Sequence, residues 1–305
     1  MRLGVLDVGS NTVHLQVVDT SPGARPNPTF NYKEELRLTQ YISDDNQVSQ
    51  EGIEKLRNSI KRAIEQSASV QTQELLPFAT SALREAENGE EIIKSINKDF
   101  RIDLQVLSGE EEARLTFLAA RRWFGWSSGR LLVIDIGGGS LEMAVGNDES
   151  ASTTLSLPIG AARMTREFLT GDPYTSKSIK ALTQFSREKV SQSVSGELLV
   201  HKADRIVATS KTFRTLARLT DHWYSDSPKK LEHRALVAAI EKLKDLTNSQ
   251  RSALPGVSAS RAKQLLAGAI VAEAVMSHLK IEEVEICPWA LREGIVLKWL
   301  DWMEK

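Results

Sequence analysis

The sequence predicts an α/β protein built from two similar domains that face each other across a cleft. Three observations carry this expectation. Residues 3–18 (LGVLDVGSNTVHLQVV) and 131–146 (LLVIDIGGGSLEMAVG) are two versions of one pattern, 128 positions apart from Asp7 to Asp135. Each is an apolar run ending in Asp, a turn of small residues, and a second apolar run. At 305 residues the chain is also longer than a single core usually fills. Finally, strand-like and helix-like stretches alternate in both halves, the pattern of α/β domains.

Taken in order, residues 3–8 and 13–18 form a hairpin, 21–28 (SPGARPNP) a loop, and 30–40 a third strand. Ile53, Leu56, Ile60 and Ile64 give residues 52–67 helical spacing. A strand over 74–80, helices over 81–87 and 90–97, and a strand over 103–107 follow. Ser108 then caps a helix running to Phe124. The small, polar 125–129 segment (GWSSG) marks the boundary between domains 1–125 and 126–305, with the last helix, about 291–305, packing back onto the first domain. In the second half, residues 131–145 repeat the hairpin and 152–157 extend its sheet. Helices are expected over 161–169, 176–194, 211–219, 231–247, 260–279 and 291–303, and strands over 204–208 and 283–286.

The bulk numbers exclude several classes. Hydrophobic residues make up 41% and charged residues 26% of the chain, and 39 Lys and Arg against 40 Asp and Glu leave a net charge of −1. A polyanionic partner must therefore meet a local basic patch. A nucleic-acid-binding protein is not expected. The one cysteine, Cys287, rules out an internal disulfide. Neither a signal peptide nor a membrane span is visible, so a cytoplasmic protein is expected.

The hairpins carry the chemistry. In the second, Gly137, Gly138 and Gly139 remove every Cβ from the turn, so phosphate oxygens can approach backbone N–H groups. Asp135 and Glu142 flank it, about 5 Å apart if they face each other in a hairpin. Like charges that close repel unless a metal or a proton lies between them. Mg²⁺, or Mn²⁺ in its place, suits two carboxylates together with phosphate oxygens and waters. In the first copy Asp7 is the equivalent carboxylate and a further candidate metal ligand, Ser10 and Asn11 fill the turn, and His14 falls where Glu142 falls. A solvent-facing Glu142 and a merely turn-shaping Ser10-Asn11 are the plainer readings.

Ser108 and Glu111 have the spacing of a capping box, and Glu110 complements the helix dipole. Glu112 is left without a structural task; it either completes an acidic first turn or activates a water. Arg84, near the start of the helix opened by Thr80-Ser81, opposes the dipole there. It either grips an anion or pairs with Glu87. Arg163, after a Pro158-Ile159-Gly160 turn, is a further candidate phosphate ligand. Lys211, Arg214 and Arg218 share a helix face, which is either solvated or, at Lys211, directed to an anion. Trp289, Trp299, Trp302 and Met303 read as core or dimer contacts, and a homodimer is expected.

These motifs resemble the exopolyphosphatase and guanosine pentaphosphate phosphohydrolase family, within the actin-like ATPase superfamily. The resemblance rests on LDVGSNT at 6–12, ATSALREAEN at 79–88, SGEEEA at 108–113, DIGGGSLE at 135–142, LPIGAAR at 157–163 and ALREG at 290–294. It implies two ribonuclease-H-like domains with the active site in the cleft. By that resemblance Glu112 activates the attacking water. Asp135 and Glu142 hold Mg²⁺, and Arg84, Asn11, Ser10 and the 137–140 turn, Ser140 included, bind phosphate. The chain looks like the short branch, without the extra helical domain of longer members. It departs at Ser210-Lys211-Thr212, where the family often has Gly-Gly-Thr. The expected activity is hydrolysis of the terminal phosphate of inorganic polyphosphate, with guanosine pentaphosphate as the alternative substrate. An actin-superfamily phosphotransferase and a non-catalytic polyphosphate sensor are the competing classes.

Overall fold

The computed structural model describes residues 1–21, 25–43, 45–224 and 229–303. Positions 22–24 of the expected 21–28 loop and 304–305 of the C-terminal segment lie outside these residues. The chain divides into two compact units, one comprising Met1–Leu115 with Leu291–Lys305 and the other Thr116–Ala290.

The first unit opens with strands β1 (Arg2–Val8), β2 (Thr12–Asp19) and β3 (Pro28–Glu35). Helix α1 (Gln50–Ser69), strand β4 (Glu74–Ala79), helices α2 (Ser81–Arg84) and α3 (Gly89–Phe100), strand β5 (Gln105–Val106) and helix α4 (Gly109–Phe124) follow. Its sheet has the order β3-β2-β1-β4-β5, antiparallel from β3 to β1 and parallel beyond. That is the ribonuclease-H-like arrangement.

β1 is central, and its apolar side chains are buried on both faces. Leu6 and Val8 pack with Leu56 and Ile60 of α1, while Leu3 and Val5 pack with Phe78 and Val296. A continuous apolar run rather than a strict alternation is what a strand covered on both sides requires.

The second unit contains β6 (Leu131–Ile136), β7 (Leu141–Gly146), β8 (Thr153–Leu157), α5 (Ala161–Phe168), α6 (Ser176–Ser193), α7 (Gly196–Leu199) and β9 (Arg205–Ala208). It continues through α8 (Ser210–Tyr224), β10 (Lys230–Glu232), α9 (His233–Lys244), α10 (Asn248–Ser252), α11 (Ala259–Ala262), α12 (Leu265–His278) and β11 (Glu283–Ile286). The sheet order is β10-β11-β9-β6-β7-β8. Helix α12 is buried from Leu265 to Met276 and apolar on every side but for Glu273, which pairs with Arg187 at 3.0 Å, as befits a central core helix. Helix α13 (Leu291–Met303) belongs to the first unit, where Gly294 lets it approach α4. A Cβ there would strike the Leu115 backbone. Among the described residues no helix is long and apolar enough to cross a membrane.

Several elements differ from expectation, and four of them meet a tertiary hydrogen bond where they depart. The helix expected over 81–87 is a single turn, because Asn46 captures the chain beyond it. Its side chain donates to Glu85 O, and Glu87 N donates to Asn46 O at 3.0 Å. The strand expected over 30–40 ends at Glu35, and a 3-10 turn forms at Leu38–Tyr41. Residues 231–232 are strand rather than helix, pairing with β11. The helix expected over 260–279 breaks between α11 and α12, where the Tyr174 hydroxyl donates to Lys263 O at 2.6 Å.

Candidate functional site

The two repeated hairpins are the same structure twice. Gly9 N donates to Thr12 O at 3.0 Å, and Gly137 N donates to Ser140 O at 2.9 Å, closing matching turns. Asp7 pairs across the ladder with His14, and Asp135 with Glu142.

In the second unit the glycine turn is held from behind by the start of α5. Ala161 N donates to Gly137 O (3.0 Å), Ala162 N and Arg163 N to Gly138 O (2.9 and 3.0 Å), and Gly160 N to Gly139 O (3.0 Å). A trans peptide is planar, so the N–H across it from each carbonyl points the opposite way. The N–H groups of Gly138, Gly139 and Ser140 therefore face away from α5, as an anion cradle needs. The first turn of α5 spends its own donors on the glycine turn. Gly160 has no room for a Cβ, which would meet the backbone of Gly138, Gly139 and Ser140. Arg163 Nε adds a further bond to Gly139 O at 3.1 Å and lies near Glu167, so it braces the turn.

Asp135 and Glu142, side by side on β6 and β7, each accept a hydroxyl. Thr209 Oγ1 donates to Asp135 Oδ2, and Ser156 Oγ donates to Glu142 Oε1 at 3.0 Å. Glu142 is only 5% exposed. Among the described residues no group of three or more His, Cys, Asp and Glu side chains converges on one point. The donor set at this position is thus two carboxylates, which is enough for an ion that completes its shell with waters and phosphate oxygens. Ser210 opens α8 with φ at 64°, a left-handed conformation that favours glycine, and this is where the family resemblance expects one. Lys211 is the second residue of that helix and is half-buried. Arg214 is tied to Ser210 O and Pro288 O, at 3.1 and 3.2 Å.

In the first unit, Ser10 O accepts from Leu38 N (2.8 Å), and Asn11 O from Leu36 N and Arg37 N (2.9 and 3.0 Å). By the same peptide geometry, the N–H groups of Asn11 and Thr12 point away from that segment. Ser10 Oγ bonds Ser81 Oγ at 3.1 Å and is buried. Asp7 has a cationic partner, since Arg292 Nη1 donates to its Oδ2 at 3.0 Å. Arg292 Nε also donates to Gln16 Oε1 (3.2 Å), and Gln16 Nε2 to the buried Glu293 Oε1 (3.0 Å). Burial pushes the Asp7 carboxyl above the usual carboxylate range against the pull of Arg292. Burial, aided by the Arg292 charge, pushes His14 down to about 3, and its Nε2–H donates to Asn31 Oδ1 at 3.1 Å.

Ser108 and Glu111 form the expected capping box: Ser108 N donates to Glu111 Oε2 at 2.9 Å and Glu111 N to Ser108 Oγ at 3.2 Å. Glu112 is 8% exposed and pairs with Arg84 Nη1, which also donates to Leu107 O at 2.7 Å. Arg84 ends its one-turn helix rather than starting a longer one, so the dipole conflict disappears; its carboxylate partners are Glu112 and Glu85.

No local pattern in the sequence singles out Thr209, Ser156, Arg292 or Glu293. The last two lie inside the ALREG motif, which is a signal only as a family resemblance. Ser156 and Thr209 come from separate strands whose register only the folded sheet fixes.

The chain matches the model of the Ppx/GppA phosphatase family over residues 16–303. It is 47% identical to exopolyphosphatase 1 of Mycobacterium bovis over 308 residues, covering 99% of this chain and 89% of that one. Exopolyphosphatase 1 of Mycobacterium leprae is 46% identical, covering 99% of this chain and 90% of that one. Among solved structures, an exopolyphosphatase from Cytophaga hutchinsonii superposes with a TM-score of 0.85 at 24% identity, covering 99% and 98% of the two chains. The Aquifex aeolicus family member superposes with a TM-score of 0.81 at 24% identity, covering 100% and 99%. The two α/β units are those of this fold, and the chain belongs to the Ppx/GppA phosphatase family.

Proposed function

We infer that the protein is an exopolyphosphatase, a hydrolase that removes the terminal phosphate of inorganic polyphosphate. The observation that carries this reading is the second hairpin. A glycine turn directs three N–H groups away from the helix that braces it, and a carboxylate pair lies beside that turn. Such a cradle suits the oxygens of a phosphoryl group.

Asp135 and Glu142 would hold Mg²⁺, or Mn²⁺ in its place, which would supply neutralisation of phosphate charge. Asp7 carries the Arg292 guanidinium, so the metal is assigned to the other pair. Glu112 accepts the proton of the attacking water. The water oxygen bonds to the terminal phosphorus as the bridging P–O bond breaks, and the shortened chain leaves with the negative charge. Arg84 orients Glu112 and shares its charge with the equatorial oxygens. The N–H groups of the 137–140 turn, together with Ser10, Asn11 and Lys211, bind phosphate oxygens. Arg163 acts behind the turn.

The test is phosphate release by the purified protein from polyphosphates of graded length and from guanosine pentaphosphate, with Mg²⁺ and with chelator. Metal-dependent release from polyphosphate without an acceptor is expected. Faster release from guanosine pentaphosphate would move the reading to that nucleotide. A requirement for an acceptor would make the protein a phosphotransferase, and binding without release a sensor.

A further inference from the structure

The carboxylate pair is part of a longer row. Asp135 on β6 is the ladder partner of Glu142 on β7, and Glu142 is the partner of Ser156 on β8. On the other side, β9 runs parallel to β6 with Ala208 opposite Ile134, so the next residue, Thr209, stands level with Asp135. Its N–H donates to Ile134 O at 2.9 Å. Partners across a ladder share a face of the sheet. Four neighbouring strands thus present hydroxyl, carboxylate, carboxylate and hydroxyl side by side.

Both hydroxyls use their one proton on the carboxylates. Several helical threonines of the same unit return their hydroxyls to backbone carbonyls of their own helix, while Ser152 and Thr153 both donate to Glu197. Thr165 donates to Ala161 O (2.8 Å), Thr183 to Ile179 O (2.9 Å) and Thr220 to Leu216 O (3.0 Å). Thr209, with 0% of its surface exposed, donates to Asp135 instead, and Ser156 donates to Glu142. A donor on each outer flank counters the mutual repulsion of the pair. It also fixes the rotation of each carboxylate by holding one named oxygen, Oδ2 or Oε1, toward the flank. Partners of this kind around metal-holding side chains set both geometry and affinity.

We propose that Thr209 and Ser156 are positioning residues that pre-set the Asp135–Glu142 pair for a divalent cation. The proposal rests on the reading of that pair as the metal site. The turn into α8 places Thr209, and the left-handed Ser210 that follows permits that turn. Thr209 therefore links the start of the Lys211 helix to the carboxylate pair.

The experiment is titration of the full chain with Mn²⁺ alone, followed by electron paramagnetic resonance, for the wild type, Thr209→Val, Thr209→Ser, Ser156→Ala and Asp135→Asn. Circular dichroism confirms that each variant is folded. Thr209→Val keeps the shape and removes the donor, and Ser156→Ala does the same on the other flank. Each is expected to weaken Mn²⁺ binding about 10- to 100-fold. Thr209→Ser keeps the donor and is expected to stay near wild type, and Asp135→Asn to lose binding. If Asp135→Asn loses Mn²⁺ while Thr209→Val and Ser156→Ala bind as the wild type does, the positioning proposal is overturned and the metal reading stands. Equal binding by Asp135→Asn and wild type, or no binding by the wild type, overturns the metal reading and this proposal with it. Thr209→Ser as weak as Thr209→Val would assign the effect to the lost methyl packing and overturn the role of the hydroxyl.

Discussion

The hairpin around Asp7 and the hairpin around Asp135 share a backbone and differ in how their carboxylates are balanced. Both turns close by the same hydrogen bond, and both have their carbonyls held from behind, by residues 36–38 in one and 160–163 in the other. Asp7 faces His14 and is balanced by a guanidinium from α13. Asp135 faces a second carboxylate and is flanked by hydroxyls. Two positions beyond His14, Gln16 links Arg292 to Glu293, and the corresponding residue of the second copy is Ala144. The first hairpin is thus electrostatically closed by its own unit. The second sets two carboxylates side by side, each accepting a hydroxyl hydrogen bond, an arrangement a bound cation would stabilise. A duplicated motif therefore does not imply duplicated chemistry. The side chains around the two carboxylates differ although the backbone repeats.

The largest expected effect lies outside both turns. If each turn only holds oxygens, the base must come from elsewhere, and Glu112→Gln leaves both hairpins intact. That variant is expected to lower kcat for phosphate release by roughly 10²–10⁴-fold, with polyphosphate still retained in a filter-binding assay. An unchanged kcat would return the base to one of the turns and break the comparison.

The balance at Asp7 is tested by Arg292→Met, which leaves a partly buried carboxylate without its cation. A loss of about 1.5–3 kcal/mol is expected, the range for a hydrogen bond to a charged group, read from urea unfolding. In a double-mutant cycle with Asp7→Asn, the pair should cost less than the sum of the single changes. Strict additivity would mean that Arg292 does not act through Asp7.

Gly160→Ala tests the brace on the second turn. Its methyl would overlap the glycine-turn backbone, so either the turn or α5 must move. About 1–3 kcal/mol of stability should be lost, as in other overpacked sites. The KM for polyphosphate should rise with it, because the cradle is displaced. Lost stability with an unchanged KM would show that the direction of the turn N–H groups does not govern binding.

How much of this was legible before folding depends on the range of the interaction. The hairpins, the capping box at Ser108 and Glu111, and the pairing of Asp135 with Glu142 follow from local spacing, and all are present. Glu112 stood out because its neighbours already had tasks, and its burial fits that reading. The alternatives posed for Arg84 were an anion or Glu87. The structure supplies Glu112, 28 positions away, because the chain beyond α2 is captured by Asn46. Thr209 and Ser156 were invisible for a related reason. A hydroxyl becomes the partner of a carboxylate only when strand register places it there, and the register of β8 and β9 depends on loops whose geometry is not written in apolar periodicity. Arg292 lies within the ALREG motif, but its partner Asp7 is 285 positions away along the chain.

The smallest expected effect concerns His14, where the first hairpin has an imidazole in place of a carboxylate. Its folded pKa, pushed down to about 3, lies below the ordinary value of 6.5. Between those values the unfolded chain binds a proton that the folded chain refuses. Stability is therefore fully present above about pH 6.5 and is lost as pH falls toward 3, by at most about 1.4 kcal/mol per pH unit. Asp7 works in the opposite sense. Its raised pKa means that the folded state keeps a proton longer, so its contribution is present at low pH and declines as pH rises above the ordinary carboxylate range. The wild type should show the difference of the two slopes. His14→Gln removes one of them and should flatten the acid side of the stability curve between pH 6.5 and the onset of acid unfolding, measured by urea midpoints at stepped pH. A variant curve parallel to that of the wild type would mean that the imidazole is protonated in the fold, and the first hairpin would then carry two cations around Asp7 rather than one.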